Sequence, residues 1–159
     1  MCTRIRPMTR ADRPVIMKYL AVMPEFPPSD VGVAEEVIDC YLGDPEQSGY
    51  SVQVAEVGSE VTGYIAYGTA PLTEGTWDIY WLAVAPGRQR QGLGRSLLSF
   101  AEGEIGRAQG RLILIETSSI PGYDRTRRFY LSLEYLVVCR IPDYYAPGDD
   151  KLVYEKRLR

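Results

Sequence analysis

The stretch "VAPGRQRQGLGRSLL" (Val84–Leu98) constrains the fold more than any other segment of this chain. The apolar run "WLAVA" enters it and a helical pattern leaves it, so a strand passes into a helix through a turn holding three glycines. A strand followed by a helix needs a return strand, and such a crossover is how a parallel strand pair is joined. The next apolar run, "RLILIETS" (Arg111–Ser118), supplies it. "WDIYWLAVA" (Trp77–Ala85) is apolar at both alternating sets of positions except at Asp78, the pattern of a strand covered on both faces.

The rest of the chain fills in around this unit. "TRIRPM" reads as a strand, and Thr9 with Asp12 three residues on caps a helix over about 10–22. "PEFPPSD" (24–30) is not helix interior because of its prolines, and Ser29 or Asp30 is the expected cap of a second helix to about Leu42. Residues 50–57 and 61–70 are β-rich runs around a Gly-Ser turn, a hairpin. Leu93, Leu97, Phe100, Ala101, Ile105 and Ala108 recur at helical spacing before Gly110. A helix over 125–135, a strand over 136–141, a turn-rich loop "PDYYAPGDD" (142–150) and a final strand from Lys151 follow. The expected order is β-α-α-β-β-β-α-β-α-β-β, an α/β fold in one domain over 1–159.

Composition excludes several functions. The chain has no histidine, so no Ser-His or Cys-His nucleophile pair and no histidine metal site can form, and proton transfer falls to Asp, Glu, Tyr, Lys, Cys or water. No metal is expected. Cys2, Cys40 and Cys139 are odd in number and widely spaced, which suits reduced thiols. A net charge of −3 argues against general nucleic-acid binding. No apolar run approaches the ~18 residues of a membrane span, and the first residues lack a signal-peptide core, so the expected location is cytoplasmic, with no membrane partner.

On its own the glycine-rich turn is a connector, a solvated charge patch or a phosphate cradle. The helix start after it leaves N–H groups unpaired and carries partial positive charge, which favours an anion. Leu97 stands where a Rossmann turn needs its third glycine, and Gly94-Arg95-Ser96 lacks the lysine and spacing of a Walker A loop.

Gln89-x-x-Gly92-x-Gly94 resembles the acyl-CoA pyrophosphate loop of the GNAT superfamily of N-acetyltransferases, Gln/Arg-x-x-Gly-x-Gly/Ala. "WLAVAPGRQRQGLGRSLL" is similar to that superfamily's central motif, "TRRFYLSLEY" to its Phe-Tyr helix, and "DYYAPGDDKLVYEKRL" to its C-terminal hairpin. Three positions depart: Tyr123 where Asn is common, Thr126 for Ala, and Glu134 for Gly. The resemblance implies a mixed, mostly antiparallel sheet with a splayed parallel pair and about four flanking helices. It implies acetyl-CoA as cosubstrate and direct attack by a primary amine.

Carried over residue by residue, the resemblance assigns pyrophosphate binding to Gln89, Arg90, Gln91, Gly92, Leu93, Gly94 and Arg95, with Ser96 close by. Leu82, Ala83 and Val84 would offer strand backbone to the pantetheine arm, with the Val84 N–H at the oxyanion. Tyr130 matches the tyrosine that protonates the leaving thiolate. Asp78 is the first candidate base and Glu116 the second, the latter also readable as half of a buried salt bridge to an arginine. The acceptor amine is left open, small molecule, peptide or protein. Glu25, Phe26, Asp143, Tyr144 and Tyr145 are expected at its mouth, an acidic and aromatic setting that suits a cation. A homodimer is also admitted, since family members often pair through their C-terminal strands. Two rivals stand beside the enzyme: an idle acyl-CoA sensor of the same fold, and a nucleic-acid module using the arginines.

Overall fold

The computed structural model describes residues 2–158; Met1 and Arg159, the two ends of the expected domain, lie outside them. Seven strands form one sheet: β1 (Thr3–Pro7), β2 (Ser51–Val57), β3 (Glu60–Thr69), β4 (Thr76–Val84), β5 (Leu112–Ser118), β6 (Leu136–Ala146) and β7 (Asp149–Arg157). Their spatial order is β1-β2-β3-β4-β5-β7-β6. Every pairing is antiparallel except β4 with β5. Four α-helices flank the sheet: α1 (Arg13–Leu20), α2 (Pro28–Gly43), α3 (Leu93–Arg107) and α4 (Asp124–Ser132). The expected fold class and element order are both present.

The middle of the sheet is buried on both faces. Val52, Val54, Tyr64, Ala66 and Ala83 pack under α1 and α2 with Ile16, Leu20 and Ile38. Ile65, Tyr67, Ile79, Ile113 and Ile115 pack under α3 and α4 with Leu97, Leu98 and Ile105. The neighbouring β2–β3 strands are buried almost throughout because both faces are covered.

Local differences from the sequence reading have plain causes. The first helix begins as a 3-10 turn, and the Thr9 N–H donates to the Asp12 carboxylate at 2.7 Å as the capping pattern requires. Neither Ser29 nor Asp30 caps α2; Pro27 does, and Pro28 takes the first helical position, where a missing N–H costs nothing. Helix α4 stops at Ser132 because Glu134 turns to φ 71. The expected loop 142–150 is mostly strand: β6 runs on to Ala146, and Pro142 is tolerated because β6 is an edge strand.

Candidate active site

Strands β4 and β5 pair over only four residues, Thr76–Ile79 against Leu112–Ile115, and then part. The cause lies on the other edge of β4. Its register with β3 runs Ala66↔Trp81 and then Tyr67↔Ile79, so Tyr80 is an extra residue, a bulge where the separation starts. A bulge bends its strand and reverses side-chain parity beyond it. The expectation that β4 is covered on both faces therefore fails at this end, where Tyr80 is exposed.

The gap opens into a cleft of about 1850 Å³. Clefts for one small ligand hold roughly 300–1,000 Å³, so this one has room for two reactants together. Leu82, Ala83, Val84, Gln89, Arg90, Gly92, Leu93, Gly94 and Arg95 line it, as do Asp78, Glu116 and Tyr130. Gln91 and Ser96 do not: Gln91 is exposed and the Ser96 hydroxyl donates back to the Gly92 carbonyl at 3.0 Å.

One end of the cleft is basic. The turn after β4 is shaped by three residues at positive φ, Gly87 (85°), Arg90 (63°) and Gly92 (80°), the last capping α3. The first N–H groups of α3 thus face an end that also holds Arg90, Arg95, Arg125 and Arg128. Arg125 and Arg128 come from α4 and were missed in the sequence, where they look like a solvated helix face. Arg88 does not join them, because it pairs with Glu60 at the start of β3. Gln89 Nε2 donates to the Val84 carbonyl at 3.3 Å. The Ala85 N–H donates to Thr62 on β3 at 2.8 Å, so alternation turns the Val84 N–H toward the β5 side, where the strands have separated.

Tyr130 stands in the middle, 6 % exposed, with its ring between Phe129, Tyr135 and Tyr154 at centroid distances of 5.4–6.0 Å. Burial pushes its hydroxyl well above the usual phenol range, which keeps the proton in place at neutral pH. The Tyr135 hydroxyl donates to Glu102 at 2.8 Å and Lys156 pairs with the same carboxylate at 3.1 Å, anchoring the chain just after α4. Thr117 is buried on β5 beside Tyr154 and also lines the cleft.

The other end is acidic and aromatic. Asp78 on β4 is half-buried, and that burial, with Glu116 nearby, raises its carboxyl above the ordinary range against the opposing pull of Lys151. Glu116 is exposed and pairs with Lys151 at 2.8 Å, so the anticipated buried bridge to an arginine is corrected on both counts. Phe26 meets Trp81 edge-on at 5.3 Å, and Tyr50 meets Tyr80 in the same way. Of the expected mouth residues, Glu25, Phe26 and Tyr145 line the cleft. Tyr144 meets Tyr145 edge-on and carries Lys151 over its ring, while Asp143 accepts from the Gly148 N–H in the hairpin turn.

A family model described as an acetyltransferase (GNAT) domain matches residues 48–136, from the approach to β2 through α4. This chain is a GNAT acetyltransferase family member. Among solved structures, a Desulfovibrio desulfuricans protein assigned to the GNAT family is 35% identical over 98% of this chain and 99% of its own, with a TM-score of 0.94. The GNAT fold also recurs at lower identity. The Escherichia coli ribosomal-protein-S18-alanine N-acetyltransferase has 18% identity, 98% and 94% coverage and a TM-score of 0.78. Salmonella typhimurium yncA, solved with its cofactor acetyl-CoA, has 22% identity, 100% and 95% coverage and a TM-score of 0.79. No curated protein sequence matches the chain. Among the described residues no helix of this GNAT protein is long and apolar enough to cross a membrane.

Proposed function

We propose that residues 1–159 act as one cytoplasmic domain that transfers the acetyl group of acetyl-CoA to a primary amine by direct attack. The observation that carries this reading is the parting of β4 from β5, which opens a two-ended cleft between a basic end and an acidic one. The basic end fits the donor. Unpaired α3 N–H groups and four arginines suit its phosphates, and the free edge of β4 from Leu82 to Val84 suits its peptide-like arm. The bound cofactor of the Salmonella relative supports the same choice of donor. Three exposed free cysteines are consistent with a reducing cytoplasm.

Each step then has a residue. Asp78, directly or through water, takes the proton of the ammonium, and the Val84 N–H stabilises the charge that develops on the carbonyl oxygen. Tyr130 protonates the departing thiolate, whose ordinary pKa near 8.5 makes a donor useful. The reading extends to assembly. All eleven residues of β6 are exposed, including Leu136, Val137, Val138 and Ile141, and the β6 edge of a second copy would cover them.

The test is an acetyl-CoA-dependent thiol-release assay over a panel of amines, with Tyr130→Phe in parallel. Turnover that falls by roughly a hundredfold in the variant at unchanged acetyl-CoA affinity is expected. Acetyl-CoA binding with no turnover on any amine would make the protein an idle acyl-CoA sensor instead.

A further inference from the structure

Five carboxylates line the acidic end of the cleft: Glu25 and Asp30 before and within α2, Asp78 on β4, Glu116 on β5 and Asp149 on β7. Among the described residues, Lys151 is the single cation paired with any of them. Four negative charges are left without an ionic partner beside aromatic walls.

Three of these carboxylates form a row. Asp78 is in register with Leu114, and Glu116 lies two residues further along the same face of β5. Two residues on again, the Ser118 hydroxyl donates to the Asp149 carboxylate. At ~3.3 Å per residue the steps along the strand are ~6.6 Å. Carboxylates so spaced do not converge, and among the described residues no three His, Cys, Asp or Glu gather as a metal site. The row suits an extended cation in place of a metal ion.

A monoamine fits this end poorly. It must lose its proton to attack, and at that moment, with Asp78 protonated, it brings no charge to the three carboxylates still without an ionic partner, Glu25, Asp30 and Asp149. An amine with a second, distant amino group keeps a positive charge throughout. Methylene spacers would lie on the Phe26–Trp81 and Tyr50–Tyr80 pairs, and a butane spacer sets two nitrogens about 6 Å apart, close to the step of the row.

We infer that the acceptor is an aliphatic polyamine, with two or more amino groups on short methylene spacers, acetylated at one end while the rest stay protonated along the carboxylate row. This rests on the acetyltransferase reading above. The attacking nitrogen gives its lone pair to the acetyl carbon, forming C–N as C–S breaks. The ammonium has by then lost one proton to solvent through Asp78; as the thiolate takes the Tyr130 proton, the acetylated nitrogen sheds its second proton, which restores Tyr130, so one acetyl group moves and one net proton reaches solvent.

The experiment compares kcat/KM for putrescine and spermidine with that for butylamine, the putrescine chain without its second amino group, and with a lysine-bearing peptide. Putrescine should exceed butylamine by about tenfold or more at low salt, with the advantage shrinking as salt rises. Asp149→Asn, which removes the charge at the far end of the row, should cut that ratio severalfold while calorimetry still detects acetyl-CoA binding. Equal values for putrescine and butylamine, or a preference for the peptide, overturn the polyamine inference and leave the acetyltransferase standing. Acetyl-CoA binding with no amine acetylated overturns both.

Discussion

The Tyr123 hydroxyl donates to the Glu25 carbonyl at 2.8 Å, tying together two segments 98 residues apart across the cleft. One is the link between α1 and α2, and the other is the turn that leads into α4. Burial pushes the Tyr123 phenol up to about 12, so this tie holds through the neutral range. Tyr123→Phe keeps the ring and removes the tie. It should cost about 1 kcal/mol of stability and raise the KM of the acceptor severalfold, with acetyl-CoA affinity unchanged. Thermal unfolding together with two-substrate kinetics reads both, and a loss confined to acetyl-CoA would contradict it.

Gly92 caps α3 at φ 80, and a Cβ built there meets nothing within 4 Å. A side chain at Gly92 is therefore penalised through the backbone and not through crowding. Gly92→Val should weaken acetyl-CoA binding about tenfold or more by distorting the cradle. Gly106→Ala, in the same helix with open space and ordinary φ, is the control and should leave binding intact while stabilising the fold by about 0.5–1 kcal/mol. Calorimetric titration of both separates the two.

A carboxylate base works only when ionised, so the raised pKa of Asp78 moves the acid limb of kcat/KM to higher pH than an ordinary aspartate would give. Glu116→Gln removes a negative neighbour and releases Lys151, and both changes favour the Asp78 anion. The acid limb should then move to lower pH. A profile that stays put in Glu116→Gln and in Asp78→Asn would take Asp78 out of the proton transfer.

Glu134 holds φ 71 just past α4, where the Tyr135 N–H returns to the Tyr130 carbonyl at 3.1 Å. Glycine is favoured at such a helix stop because a Cβ there is strained by about 1 kcal/mol or more. Glu134→Gly should raise the unfolding midpoint by several degrees. A lower midpoint would mean that the glutamate side chain contributes more than the turn costs.

The element order was legible in the sequence because strands and helices here carry clean hydrophobic periods, from the 50–57 and 61–70 hairpin to the spacing of Leu93, Leu97 and Ala101. The bulge was not. Tyr80 sits among apolar residues on both sides, so a shift of parity leaves no mark on the pattern. Arg125 and Arg128 were hidden for a different reason: they reach the glycine-rich turn only through the packing of α4, some 35 residues further along the chain. The carboxylate row was equally hidden, since Asp78, Glu116 and Asp149 come from three strands and meet only through the register of the sheet.

One extra residue in β4 has an evolutionary consequence. Upstream of Tyr80 the strand presents Asp78 to the acidic end, and downstream it presents Leu82 to Val84 to the basic end, with side-chain parity reset between them. Substitutions that retune which amine is accepted fall on one segment, and those that would disturb the shared thioester donor fall on the other. A chain built this way can drift toward new acceptors while its half of the reaction common to all of them stays fixed.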